Sequence, residues 1–177
     1  GMIPNPINIQ KIKYYGINKS KKLSILHAIN SRNKIKKGNK FFEEALKIID
    51  KKFKSKINII TTYDLTYKEH LENLKKCDIV LDMVYAYDQG YNALEAMAMG
   101  KIVFTGAEEE WLKLYNIKED TAVINAVPNT KRIIEKLVWL IENPKMLKII
   151  SANARKFIEK NHDFEKIAAK YIKTWEN

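Results

Sequence analysis

"DIVLDMVYAYDQGYNALEAMAMGKIVFTG", residues 78–106, contains two apolar runs separated by a polar loop and a helical stretch. The runs, 78–84 and 101–106, are apolar almost without interruption, which marks strands buried on both faces rather than one. Between them, Tyr87–Gly100 is rich in Ala, Leu and Met and reads as a helix carrying a single carboxylate, Glu95. Strand, helix, strand in this order indicates a parallel sheet covered on both sides.

The same alternation extends in both directions. "KLSILHAI" (22–29) reads as a strand, and 38–53 as a helix with Phe41, Phe42, Ala45, Leu46, Ile48 and Ile49 on its apolar side. The β-branched "INIITTY" (57–63) follows, then a helix over 66–77 striped by Leu71 and Leu74. A short helix at 108–116 and a fifth strand at 121–127 complete the alternation. The fold class is therefore α/β: a doubly wound, Rossmann-like parallel sheet. After Pro128 the pattern is helical only. One helix runs from a cap at Asn129 or Thr130 to just before Pro144, and two more cover 144–161 and 163–177. In the last, Phe164, Ile167, Ala168, Tyr171, Ile172 and Trp175 form a broad apolar face that needs a surface to pack on. The expected organisation is an entry segment at 1–22, a core at 23–128 and C-terminal helices at 129–177.

At 177 residues and 46% hydrophobic the chain can bury one real core, so one domain is expected. No apolar run approaches the roughly 20 residues needed to cross a bilayer, and no export signal is visible. A lone cysteine, Cys77, argues against an internal disulfide or a structural zinc site. A reducing cytoplasm is the expected setting. The net charge of +11 is spread as single and paired lysines over nearly every polar stretch, so it reads as a solvated basic surface, and no nucleic-acid partner is expected.

Ligands of open parallel sheets sit beyond the carboxyl ends of the strands. After the first strand comes "NSRNKIKKG", where Arg32 and Lys37 precede Gly38; such a loop either grips a diphosphate or is simply solvated. After the third comes "YAYDQG", where Gly90 allows close backbone approach and the N–H groups of Gly90, Tyr91 and Asn92 offer a second seat for phosphate. Glu95 lies about a turn further in. A carboxylate in so apolar a helix needs partners, either ligand hydroxyls or a neighbouring lysine or cap. His27 either touches a ligand at the cleft or is a core histidine, and Asp78 and Asp82 read as capping or pairing groups. His27, His70 and His162 fall on separate elements without ligand spacing, so no metal is expected. Neither a Walker loop nor G-x-G-x-x-G is present, and no nucleophile elbow, which removes the main support for kinases, dehydrogenases and hydrolases.

"ALEAMAMGKIVFTG" (93–106) resembles the "EAMA-x-G-K-P-V" signature of glycosyltransferases with two facing Rossmann-like domains (the GT-B fold), particularly the large retaining family 4. "ILHAINSRNKIKKG" (25–38) is similar to that family's first strand and basic loop, "MIPNPIN" (2–8) to its interdomain linker, and "FIEKNHDFEKIAAKYIKTW" (157–175) to its closing helices. The resemblance implies the C-terminal, donor-binding half of such an enzyme, with an N-terminal acceptor-binding domain outside this chain. It implies a nucleoside diphosphate sugar as substrate, no cofactor or required metal, and lipid-linked or polysaccharide acceptors at the cytoplasmic membrane face, where the basic surface could meet anionic lipid. Arg32, Lys37 and Gly38 match the diphosphate grip, Gly90, Tyr91 and Asn92 the turn under phosphates and sugar, and Glu95 the second acid of Glu-x7-Glu, which holds the ribose. The loop Thr62–Leu65 takes the place of the base contact, where Tyr63 either stacks or is an edge aromatic. The first acid of the motif falls on Tyr87; either the adjacent Asp88 substitutes, or this branch contacts the sugar differently. Two rivals stand beside this reading: a nucleotide-sugar epimerase of the same architecture, and a basic module binding RNA or another polyanion.

Overall fold

The computed structural model describes residues 3–176. Gly1, Met2 and Asn177, the outer ends of the linker-like stretch and of the last expected helix, lie outside the described residues. Five strands, β1 (Leu23–Ile29), β2 (Ile57–Tyr63), β3 (Ile79–Leu81), β4 (Ile102–Thr105) and β5 (Ile124–Asn125), form one sheet in the order β2-β1-β3-β4-β5. All four pairings are parallel. The chain moves outward from β1 to β2, then returns across β1 to build β3, β4 and β5 on the other side. The winding reverses between β1 and β3, where doubly wound sheets open a crevice at their carboxyl ends.

The apolar runs are explained by two cores, one on each face. Ile25, Ile79, Leu81, Ile102, Phe104 and Ile124 point to one side, where they meet α2 (Asn39–Phe53) and α6 (Thr130–Glu142). Leu26, Val80 and Val103 point to the other, against α3 (Tyr67–Lys76), α4 (Tyr91–Ala98) and α5 (Glu109–Tyr115). Successive strand residues face opposite ways, so a sheet covered twice requires apolar residues at both parities. Leu94 and Met97 of α4 are fully buried and contribute roughly 2 kcal/mol each by leaving water.

Helix α7 (Pro144–Asn161) links the two layers. Leu147 and Ile150 belong to the first core, and Ala154, Phe157 and Ile158 to the second. In passing, Ser151 donates to the Gly100 carbonyl at 2.6 Å, just ahead of β4, so α7 closes the amino-terminal edge of the sheet. The carboxyl edge stays open. Helix boundaries follow local chemistry: Asn129 caps α6 by accepting from Arg132 N, Thr66 and Glu69 form a capping box on α3, and Pro144 occupies the first turn of α7. In α8 (Phe164–Trp175) only Ile167 is buried; Tyr171, Ile172 and Trp175 remain exposed. Among the described residues no helix is long and apolar enough to cross a membrane.

Candidate functional site

At the carboxyl ends of β1 and β2 lies a cleft of about 410 Å³, walled by Asn30, Lys37, Thr62, Asp64, Leu65, Tyr67, His70, Tyr91, Asn92 and Glu95 among others. Three local features shape it. The one-turn helix α1 (Lys34–Lys37) ends at Gly38, whose φ of +69° belongs to the left-handed region. A β-carbon there would fall 2.4 Å from Val84 Cγ2, so Gly38 also lets the segment after β3 pack closely. That segment is tied down by Val84 N donating to the Lys37 carbonyl at 3.0 Å. Further on, the Ala86 carbonyl sits where a β-carbon on Gly106 would be, 1.7 Å from that point, and Gln89 Nε2 donates to the Gly106 carbonyl. The loop that launches α4 is thus clamped against the end of β4.

Inside the cleft, Lys37 Nζ lies 2.7 Å from Oδ1 of Asp82. The same oxygen accepts from Asn92 Nδ2 at 2.7 Å, and Oδ2 accepts from Thr105 Oγ1 at 3.3 Å. His70 Nε2 meets Asn92 Oδ1. The Tyr67 hydroxyl donates to Glu95 Oε1 at 2.8 Å, and this bond holds the Tyr67 pKa above the ordinary phenol value. At the mouth, Ser31 donates through its hydroxyl and its N–H to Asp64, which lowers the pKa of that carboxyl below its usual range. Gly90 is the N-cap of α4 and supplies no capping side chain, so the first-turn N–H groups of that helix are uncapped beside the cleft. The cleft therefore offers an ammonium, an amide and a helix start as donors, with Glu95 and Asp64 as acceptors. Such a set suits a ligand with an anionic part and a hydroxyl-bearing part.

Lys37, Tyr91, Asn92 and Glu95 come together here, with Gly90 adjoining them, and Thr62, Asp64 and Leu65 supply the wall after β2. Gly38 sits behind the wall as a close-packing point. Arg32, on the short 3-10 turn Ser31–Asn33, is exposed beside the rim and does not line the cleft. Tyr63 borders a separate groove of about 620 Å³ on the α2 side of β2, shared with His27 and Glu43. Tyr87 is 75% exposed. Asp88 lines a third, smaller cavity with Asn5, Trp111, Tyr115 and His162.

Three cleft groups had no distinct signal in the sequence. Tyr67 and His70 stand one turn apart on α3 and look like any polar helix face until the fold turns that face toward α4. Asp82 reads as a pairing group at a strand end, and it does pair, but with the cleft lysine. Asp78, by contrast, accepts from the N–H groups of Asn18 and Ser24 at the opposite edge. His27 is buried beside Asn39 and Phe42, and burial pushes its pKa down to about 4. Among the described residues, no group of three or more His, Cys, Asp or Glu side chains is placed to hold a metal ion.

A search of curated proteins finds no match to the sequence. Among solved structures, the chain is similar to the C-terminal domain of a glycosyl transferase group 1 family protein, LpcC, from Francisella tularensis, with 19% identity over 89% of this chain and 98% of that one, and a TM-score of 0.62. Sucrose-phosphate synthase from Thermosynechococcus elongatus matches with 14% identity over 98% of this chain and 51% of that one, at a TM-score of 0.70. Anabaena Alr3699/HepE, solved in complex with UDP-glucose, matches with 15% identity over 98% and 56%, at a TM-score of 0.66. The chain thus spans about half the length of these last two proteins. At such identities the likeness concerns the fold, which is that of a GT-B C-terminal domain. The family model of the glycosyl transferases group 1 matches residues 25–157, from the first fully buried residue of β1 to Phe157 of α7, so that sheet and cleft lie within it: the chain belongs to that family.

Proposed function

We propose that this chain is the donor-binding half of a glycosyltransferase that moves a sugar from a nucleoside diphosphate sugar to a glycan or lipid-linked acceptor, with retention at the anomeric carbon. The observation that carries this reading is the convergence of Lys37, the uncapped start of α4 and Glu95 in one cleft at the point where the sheet winding reverses. Anabaena HepE, of the same fold, has been solved with UDP and with UDP-glucose, which supports a nucleotide-sugar ligand.

On this reading the diphosphate lies between Lys37 and the first turn of α4, with Arg32 reaching in from the rim. Glu95 accepts hydrogen bonds from the ribose hydroxyls, with Tyr67 orienting it, and the base rests against the Thr62–Leu65 wall. The glycosyl bond to the diphosphate oxygen breaks, and that oxygen keeps the electron pair. A bond forms to the acceptor hydroxyl oxygen, whose proton passes to the leaving diphosphate oxygen. Lys37 and the α4 N–H groups favour this step because negative charge grows on the leaving diphosphate. Tyr87 stands where the family motif has its first acid and offers no carboxylate, and the adjacent Asp88 lines a separate cavity, so this branch contacts the transferred sugar differently. The acceptor site belongs to an N-terminal domain outside this chain, and the exposed Tyr171, Ile172 and Trp175 of α8 give that domain an apolar surface to pack on. The net charge of +11 suits peripheral contact with an anionic membrane.

A thermal-shift panel of UDP, GDP, ADP and their sugars tests the reading. One base family is expected to raise the melting temperature in a saturable way. Indifference to every nucleotide, with heparin binding that falls steeply with salt, would point instead to a polyanion module.

A further inference from the structure

Asp82 follows the last residue of β3, at the centre of the sheet, and its backbone N–H donates to the Phe104 carbonyl at 2.9 Å. Its side chain is 1% exposed, whereas that of its ion-pair partner Lys37 is 19% exposed and reaches the cleft. A carboxylate only accepts, so the Asn92 group facing it must be the N–H2. The Asn92 carbonyl then faces His70, which must carry its proton on Nε2. One chain of hydrogen bonds, His70 to Asn92 to Asp82 to Lys37, therefore fixes three cleft-lining groups through one buried acid. Lys37 has three N–H donors. Among the described residues only its bond to Asp82 is accounted for, which leaves donors for the cleft.

We infer that Asp82 is a positioning residue: it aims the Lys37 ammonium and holds the Asn92 amide so that the cleft engages the outer phosphate of a nucleoside diphosphate, and thereby distinguishes a diphosphate from a monophosphate. The inference rests on the donor-binding reading above and adds to it the group that sets the phosphate count. Without the carboxylate, Lys37 has no fixed direction, and the Asn92 amide loses the acceptor that orients it. The base and ribose contacts through Glu95 and the Thr62–Leu65 wall do not pass through Asp82, so a monophosphate is held as before.

Calorimetric titration of UDP against UMP, and of GDP against GMP, into wild type, Asp82→Asn, Lys37→Met and the double variant tests this. The wild type is expected to prefer the diphosphate. Asp82→Asn is expected to lose about tenfold in diphosphate affinity while its monophosphate affinity moves less than about twofold. The double variant is expected to lose clearly less than the two single losses combined, because Asp82 acts in large part through Lys37. Where Asp82→Asn fails to fold, Asp82→Glu keeps the charge, displaces it by one methylene, and is expected to narrow the same diphosphate-to-monophosphate ratio. Equal losses for both nucleotides, an unchanged ratio, or additive losses in the double variant would each overturn the inference. A wild type that binds the nucleotides but does not prefer the diphosphate would overturn it while leaving the donor reading standing. A wild type that binds none of them would overturn both.

Discussion

Two lysines on opposite edges of the sheet show how one residue type takes two roles. Lys101, at the amino edge, is fully buried, and its ammonium donates to the carbonyls of Gly16 at 2.9 Å and Lys75 at 3.2 Å. Burial lowers its pKa from the ordinary lysine value. Both acceptors are backbone and both are uncharged, so this lysine fastens the entry segment and the end of α3 to β4. Lys37, at the carboxyl edge, has a charged partner beneath it and an open cleft above it. The difference lies in what remains after the protein's own contacts are counted: Lys101 is enclosed, whereas Lys37 is aimed and still accessible.

The largest effect is expected from breaking the enclosed one. Lys101→Ala leaves the buried Gly16 carbonyl and the part-buried Lys75 carbonyl without this donor and opens a void, so it should destabilise the domain by about 4 kcal/mol in urea unfolding. The nucleotide affinity of the molecules that remain folded should be unchanged. Next comes acid sensitivity from His27, which faces α2 and lies edge-on to Phe42 at 5.8 Å. Burial holds its folded pKa at about 4, below the ordinary histidine value of about 6.5. Between those values the unfolded chain takes up a proton that the folded chain refuses, so stability should fall as pH drops from about 6.5 to about 4, by on the order of 3 kcal/mol. His162, whose pKa burial also lowers, adds in the same direction. His27→Phe should remove its share of that slope, as unfolding measured at pH 7 and pH 5 will tell.

Smaller effects sharpen the open edge. Glu95→Ala removes a half-buried carboxylate whose recorded partner is an exposed tyrosine, so the fold should survive. Affinity for the stabilising nucleoside diphosphate should fall about tenfold, near 1.4 kcal/mol, by calorimetry. Smallest of all on stability is Gly90→Ala. A β-carbon there meets nothing within 4 Å and φ is −80°, so unfolding free energy should stay within about 0.5 kcal/mol. Any loss of nucleotide affinity in that variant then reports close approach of ligand to the turn.

What the sequence disclosed follows from which interactions are local. The unbroken apolar runs announced strands buried on both faces, and Asn129 marks a helix start and Pro144 a helix end that depend only on nearby residues. Strand ends were less legible. The run 78–84 suggests a strand of that length, yet β3 stops at Leu81, because Asp82 turns inward to gather Lys37, Asn92 and Thr105 from three other places in the chain. Likewise β5 is only Ile124–Asn125 within the apolar stretch 121–127. The cleft lining was readable where it rides on a helix start, as at Tyr91 and Glu95, and not where it depends on two helices facing each other, as with Tyr67 and His70. Tyr63 shows a subtler point. Strand alternation puts it on the face of His27 and Thr61, toward the α2 groove, while Thr62 and Asp64 face the cleft.

These two hollows, one on each side of β2, make the central claim open to direct test. Backbone amide NMR of the labelled domain, titrated with UDP and with GDP, reports which of them a nucleotide enters. Saturable shifts confined to Lys37, Asp64, His70, Tyr91, Asn92 and Glu95 are expected for one of the two nucleotides. Shifts gathered instead at His27, Glu43, Lys47 and Tyr63, or none with either nucleotide, would contradict that claim.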